Sequence, residues 1–471
     1  MSGMDKFLWF IDKSGIDFKQ HQFDGVRWCL QNELGKLPSG SECRGGLIAD
    51  EMGLGKTITS IGLLISNFML KTLIVLPNTL IQQWSKEIQR TTGHTPLIFY
   101  GSAKKIITFE QLCSAPIVLT SYATIAVKAE KADVLTENLL HMVSWNRVVF
   151  DEAHHMRNKN SRYWGARKLI SPIKWLISGT PIQNKRRDFY NLCSIIGIPR
   201  SYYISSENME ELLKNHVLRR TKNEIGIQLP ELETDKHDVE WKTEAERVLS
   251  EDIHNAIKFA DSFKRLQLFL KARQTCILPA MIKKSIPGLI DNRLIPSNPV
   301  YYEGLESSSK LDAVLLTLIN RKGNGNGKLV FCHFREEMDF IHLRLKEADA
   351  DVSVGLFDGR ASIKKRGIML SEPNEYLIIQ IQTGCEGLNL QEHFSEVYFV
   401  SPNWNPSIEE QAIARCHRIG QKKPVHVFRF HMTTYEPLQE ESELVPSPSL
   451  DQYIKKIQSC KRDISNQIIT H

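Results

Sequence analysis

Five short runs in the first half of the chain are apolar at nearly every position, not every second one: residues 46–49, 73–76, 117–120, 147–150 and 175–178. A strand with one wet face alternates apolar and polar side chains, whereas a continuous run belongs to a strand covered on both sides. Helical patterns separate the runs, so the sequence predicts an α/β fold with a parallel sheet between two helical layers. The pattern returns at 329–332, 377–380, 397–400 and 425–428, which predicts a second sheet of the same kind. Between the two, 243–284 reads as helices rich in Leu, Ala and Lys. Pro287, Pro296 and Pro299 then read as a linker, and Gly323 to Gly327 as a flexible loop. Residues 436–449 are acidic and proline-bearing, and read as a loose loop. Ser449 is placed to cap a closing helix with Ile454, Ile457, Ile464 and Ile468 on one face. The expected partition is a first lobe at 1–205 (core about 37–200), a helical insertion and linker at 206–305, and a second lobe with its bracing helix at 306–471.

The chain has 471 residues, 42% apolar and 24% charged, enough for several domain-sized cores. Its formal net charge of +6 permits a polyanionic partner without requiring one. Nine scattered cysteines contain no Cys-x-x-Cys pair, so no zinc module is expected and a reducing compartment is. Residues 1–6 lack the layout of a signal peptide, and the most apolar stretch, 61–76, is broken by Asn67 and Lys71. Neither secretion nor a membrane span is expected.

Three groups of residues carry chemistry. Asp50-Glu51-Met52-Gly53-Leu54-Gly55-Lys56-Thr57 joins a buried strand to a helix. Glycines let backbone wrap a phosphate, and a helix N-terminus aims free N–H groups at the charge. Lys56 would neutralise β and γ phosphates and Thr57 would hold Mg²⁺. The strict pattern wants Gly at position 50, and an incidental glycine turn capping a helix is the alternative. Asp151-Glu152-Ala153-His154 follows a strand, where Asp151 would bind Mg²⁺ and Glu152 would activate water. A helix start that favours acidic residues is the plainer reading. His154 either couples this site to the next motif or satisfies a local hydrogen bond. Gln411 to Arg418 places Arg415 and Arg418 three apart, on one face if helical, as arginine fingers or as a solvated basic surface.

Taken in order, these motifs resemble the Swi/Snf-type branch of the superfamily 2 helicases, from about Phe18 to the end. Phe18 to Trp28 resembles the adenine-reading motif, with Gln22 at the base position. Asp50 is then the usual residue of this branch. Gln83-Trp84, Thr120-Ser121-Tyr122, Ser178-Gly179-Thr180-Pro181-Ile182-Gln183-Asn184 and Leu218-Arg219-Arg220-Thr221-Lys222 match further motifs. In the second half, Val330 to Phe334, Gly387-Leu388-Asn389-Leu390, Asn403-Trp404-Asn405-Pro406 and Gln411 to Gln421 match in turn. Cys385 stands where the family usually has a second glycine.

The resemblance implies two RecA-like lobes with ATP between them and a cycle that moves the motor along duplex DNA. It implies DNA contacts at Thr120, Ser121, Tyr122, Arg186, Arg187, Gly387, Asn389 and Trp404, and coupling through His154, Ser178, Gly179 and Thr180. It implies nucleotide contacts at Gln22, at 50–57 and at Gln411. Lys185-Arg186-Arg187 and Lys364-Lys365-Arg366 are either phosphate contacts or solvated surface. The expected activity is a DNA-stimulated ATPase that translocates on double-stranded DNA, with single-stranded DNA as a second partner and ATP and Mg²⁺ as cofactors. A strand-separating helicase, a transcription-associated ATPase of a large DNA virus and a non-hydrolysing DNA-binding scaffold are the alternatives. The expected location is the nucleus or another DNA-containing compartment, such as a viral factory. No room is expected for a bromodomain, chromodomain or RING finger.

Overall fold

Each continuous apolar run forms a strand. The computed structural model describes residues 1–35, 43–131, 138–180, 186–200, 203, 206–360, 368–370, 372, 374–384, 388–435 and 447–469, with backbone alone at 131, 206–207, 383–384 and 464–469. Contacts divide the chain into two units, Met1–Gln228 with Asp463–His471, and Leu229–Arg462.

In the first unit, β1 (Arg44–Ile48), β2 (Thr72–Leu76), β3 (Leu97–Phe99), β4 (Ile117–Ser121), β5 (Arg147–Asp151), β6 (Ile173–Ile177) and β7 (Val217–Leu218) form one sheet. Its order is β3-β4-β2-β5-β6-β1-β7, with parallel pairings. Successive side chains point to opposite faces of a strand. Leu73 and Val75 enter one core, while Ile74 and Leu76 enter the other, which accounts for the unbroken apolar run. Helices α1 (Gly3–Ser14), α2 (Gln20–Glu33), α3 (Lys56–Ser66) and α4 (Ile81–Thr92) bring Phe7, Phe10, Val26, Ile61 and Trp84 to the second of these cores. A buried ion pair fixes α2 to β5: Arg147 Nε and Nη2 each donate at 2.6 Å to the Glu33 carboxylate, which also accepts from Trp175 and Asn67. Removing one partner of such a pair costs more than the pair contributes, because the other charge stays buried.

In the second unit, β8 (Leu232–Val239), β9 (Gly327–Cys332), β10 (Val354–Phe357), β11 (Tyr376–Gln380), β12 (Phe394–Phe399) and β13 (Val425–Met432) form a sheet of order β10-β11-β9-β12-β13-β8, again with parallel pairings. The prolines after residue 284 do not mark a loose connection. Pro287 sits in the first turn of helix Ile286–Asp291, where its missing N–H costs nothing. Ile282, Ile286, Leu289, Ile295 and Tyr301 are buried in the same core as Val330 and Tyr398. The glycine loop before β9 is also pinned, because Asn324 and Asn326 donate to Glu396 at 2.7 and 3.2 Å.

The closing helix Leu450–Ile469 starts beside Ser449, whose hydroxyl donates to the Met432 carbonyl at 2.8 Å. Leu450 and Ile454 are fully buried, and Asp451 pairs with buried Lys310. The side chains of Ile464 and Ile468 lie outside the described residues, as does most of the acidic stretch before Ser449. Among the described residues no helix is long and apolar enough to cross a membrane.

Candidate nucleotide site

The phosphate loop runs from the end of β1 to the first residue of α3, Lys56. Gly53 and Gly55 have φ of +90° and +81°, a region that L side chains rarely adopt. A Cβ at Gly55 would also stand 2.4 Å from the Gln22 amide nitrogen. Gln22 donates to the Leu54 carbonyl at 3.4 Å, and His21 Nε2 lies 2.9 Å from the same oxygen. The residues at the adenine-reading position are thus tied to the loop. Gln22 Oε1 is buried and has no partner among the described residues, as suits a group kept for a ligand donor.

Lys56 Nζ donates to the carbonyls of Asp50 and Glu51 at 2.8 and 3.2 Å. Asp50 is 1% exposed. Arg220 grips it with two hydrogen bonds, Nε to Oδ1 at 3.0 Å and Nη2 to Oδ2 at 2.5 Å, and also donates to the His21 carbonyl. Next to it, the N–H and ammonium of Lys222 meet the Glu51 carboxylate at 2.8 and 3.1 Å. The Arg220 carbonyl accepts from Glu51 N at 2.9 Å, continuing the β1–β7 pairing. An aspartate in place of the pattern's glycine therefore gives the loop a charged handle, held by residues 170 positions away. Arg220 and Lys222 are the functional residues that sequence reasoning placed in a motif without a role. A buried carboxylate demands a countercharge, but the sequence shows neither the burial of Asp50 nor a partner 170 positions away.

Asp151 is the last residue of β5 and Glu152 follows it, at the C-terminal tip where ligands bind in parallel sheets. Asp151 Oδ2 accepts from Trp84 Nε1 at 2.8 Å, Oδ1 accepts from Glu152 N at 2.9 Å, and its carbonyl accepts from Tyr122 OH at 2.6 Å. Burial, with Glu152 beside it, pushes Asp151 up to about 7, while Trp84, the Glu152 N–H and the Lys56 charge pull it down. Glu152 is left-handed at φ +49°, a strained conformation for a glutamate that recurs at active sites. His154 Nδ1 lies 3.3 Å from Glu152 Oε2 and 3.5 Å from Ser178 Oγ. Thr180 N donates to Ser178 Oγ at 3.3 Å, and a Cβ at Gly179 would meet Met52 at 2.7 Å and Lys56 Nζ at 3.3 Å. Loop, acidic pair and Ser178 to Thr180 thus converge within the first unit. Thr57 and Asp151 offer oxygen donors of the kind magnesium takes alongside phosphates and water.

In the second unit, helix Pro406–Ile413 ends before the arginines, so Arg415 and Arg418 lie in the following turn and not on a helix face. Leu390 N donates to the Arg415 carbonyl at 3.1 Å, and Arg418 donates to Asn389 Oδ1. Burial and neighbouring Arg415 pull Arg418 down to about 10, so it stays cationic at neutral pH. Gln411 is buried within that helix, at 2% exposure.

A model of the SNF2-related domain matches residues 21–281, and one of the helicase conserved C-terminal domain matches 309–420. The chain belongs to the SNF2-related family. It is 26% identical to an uncharacterised ATP-dependent helicase of Mycoplasma genitalium, over 90% of this chain and 41% of that protein. A probable global transactivator of Orgyia pseudotsugata multicapsid polyhedrosis virus is 26% identical over 95% of this chain and 91% of its own length. The ISWI chromatin-remodeling complex ATPase ISW2 of Saccharomyces cerevisiae is 25% identical over 89% of this chain and 39% of its own. The SNF2-related chain thus spans well under half of the Mycoplasma and yeast proteins.

Several expected DNA contacts of the SNF2-related chain face inward. Thr120 and Ser121 are fully buried, with their hydroxyls meeting the Phe99 carbonyl and Thr124 at 2.8 Å each. The hydroxyl of buried Tyr122 donates to the Asp151 carbonyl, which ties this motif to the acidic pair. Trp404 packs edge-on against Phe269 at 5.5 Å, with Arg273 over its ring at 5.8 Å. Arg186, Arg187 and Asn389 are exposed. Lys185, Pro181 to Asn184, Lys364 to Arg366, Cys385 and Gly387 lie outside the described residues.

Arg220→Ala strands the Asp50 carboxylate in the interior. We expect a loss of about 3 kcal/mol in urea unfolding, with part of it recovered when Asp50→Asn is added. Full additivity of the two substitutions would show that the grip contributes nothing.

Proposed function

We propose that this SNF2-related chain hydrolyses ATP to ADP and phosphate with Mg²⁺, and uses the cycle to translocate on double-stranded DNA and displace or remodel bound proteins. The observation that carries it is the convergence of Lys56, Asp151, Glu152, His154 and Gly179 at one edge of a parallel sheet. Lys56 draws the β and γ phosphates toward the glycine turn, and the α3 N-terminus supplies further N–H donors. Glu152 orients and deprotonates the attacking water, held by His154. Thr57 and Asp151 would hold magnesium, which supplies charge neutralisation of the phosphates. Arg415 and Arg418 act on the γ-phosphate as charge builds there. His154 and Ser178 pass the state of Glu152 to the segment that leads into exposed Arg186 and Arg187.

Family membership supports the motor reading, and the remodelling complex named for the yeast relative supports displacement of bound proteins. A role in transcription has separate support from the viral relative, which the chain matches over most of its length. The site of action is the nucleus or another compartment that holds DNA. A triplex-displacement assay tests translocation: ATP should release a third strand from duplex without separating the duplex. Release of a duplex strand without displacement of the third strand would favour strand separation instead.

A further inference from the structure

Helices Glu244–Phe259 and Ser262–Ile277 of the second unit are joined by two residues, Ala260 and Asp261. One side of the pair is buried: Leu249, Ile253, Leu268, Ala272 and Cys276 enter the core of that unit. The tip is bare. Phe259 is 90% exposed, Phe263 78%, Leu266 75% and Leu270 52%. Exposed apolar residues scattered singly are ordinary, but four gathered at one tip are not. Positions 263, 266 and 270 step by three and four, so they form one stripe along the second helix. The core does not use that stripe, since the opposite side of the helix supplies it. A partner helix reads a stripe of this spacing through anchors at the same steps.

Charge selects the kind of helix. Residues 258–293 hold eight Lys and Arg against two Asp, a formal excess of +6, as large as that of the whole chain. One of the two acids, Asp261, is occupied at its own helix start, where it accepts from Phe263 N and Lys264 N at 3.0 and 2.9 Å. Lys264 and Lys271 each follow a residue of the stripe by one position and lie seven apart, so they line a single edge of it. Lys271 donates to Ser285 Oγ at 2.6 Å, which sets exposed Lys284 beside that edge. An apolar stripe with a cationic edge complements an amphipathic helix that carries carboxylates next to its apolar face. A second copy of this chain would bring the same cations and be repelled. A nucleic-acid strand would satisfy the lysines and could stack on the phenylalanines, but it would leave Leu266 and Leu270 in water.

We propose that this tip docks an acidic amphipathic helix of a partner protein. Apolar side chains of that helix cover Phe263, Leu266 and Leu270, and its carboxylates meet Lys264 and Lys271. The stripe runs for about two turns, roughly 10 Å, so the contact is small and exchangeable, of micromolar affinity. It shares no residue with the groups assigned to nucleotide chemistry.

The probe is a fluorescein-labelled peptide of about 20 residues with Leu stepped by three and four and Glu flanking them. A shuffled peptide of the same composition is its control. Both are titrated against the full chain by fluorescence anisotropy without nucleotide. The stepped peptide should bind at micromolar concentration, and the shuffled one about tenfold more weakly or not at all. Leu266→Ser with Leu270→Ser should weaken the stepped peptide about tenfold, and Lys264→Glu should do the same while reducing its salt dependence. Leu343→Ser, at an exposed leucine elsewhere in the unit, should change nothing. Lys264→Glu decides the matter if the double variant disturbs folding. The proposal is overturned if the two peptides bind alike, or if neither tip variant differs from Leu343→Ser. It is overturned in favour of a second copy if light scattering shows a dimer that the double variant dissolves. It is overturned in favour of nucleic acid if the tip variants weaken single-stranded DNA binding about tenfold and leave the peptide unaffected.

Discussion

Glu152→Gln should lower ATP turnover by about a thousand-fold while leaving nucleotide binding intact. The amide keeps the size of the carboxylate and can still accept from His154, 3.3 Å away, if the ring donates. What it loses is the ability to take a proton from water. In the proposed mechanism nucleotide binding rests on other groups: the glycine turn, Lys56 and the Gln22 contact to Leu54. Phosphate release and equilibrium binding of ATP, measured on the same preparation, separate the two effects. A variant that still turns over at the parent rate would remove Glu152 from the mechanism, and one that no longer binds ATP would make it structural.

Arg418→Ala should reduce kcat by about a thousand-fold with a small change in KM, the signature of charge supplied mainly in the transition state. Burial, with the like charge of Arg415 nearby, pulls Arg418 down to about 10. Neither Nε has a partner among the described residues. Two cations held together with open donors are destabilising until an anion arrives. Removing one should therefore leave the thermal midpoint unchanged or raise it, which separates a functional loss from unfolding. Arg418→Lys should not restore the rate, because an ammonium lacks the planar fork. A normal kcat in Arg418→Ala would return the pair to a solvated basic surface.

The parallel sheets were readable because both faces of each central strand are buried, so every residue of a run carries the signal. β8 was not readable for the opposite reason. Its sequence, Leu232 to Val239, is mostly charged and exposed, and it joins the sheet through backbone pairing to β13. Proline composition misled at Pro287, since first-turn proline belongs to helices as well as loops. The turn at Arg415 was hidden because tertiary hydrogen bonds outcompete helix propagation there: Leu390 N takes the Arg415 carbonyl, and His417 Nε2 lies 2.9 Å from the Pro230 carbonyl. In the site, glycine spacing and the acidic pair could be read locally. The grip of Arg220 on Asp50 could not, because it joins positions far apart in sequence. The internal contacts of Thr120 to Tyr122 and of Trp404 were not legible either, because they join residues far apart in sequence: Thr120 meets the Phe99 carbonyl, Tyr122 the Asp151 carbonyl and Trp404 the Phe269 ring.

The central claim is that ATP hydrolysis is coupled to duplex DNA. Phosphate release by the intact chain, measured alone and with duplex DNA, single-stranded DNA or RNA, with Lys56→Ala as the blank, tests it directly. The account predicts a rate that duplex DNA raises well above both the unstimulated value and the value with RNA, and no activity in Lys56→Ala. Equal or greater stimulation by RNA, or a rate indifferent to nucleic acid, would contradict it.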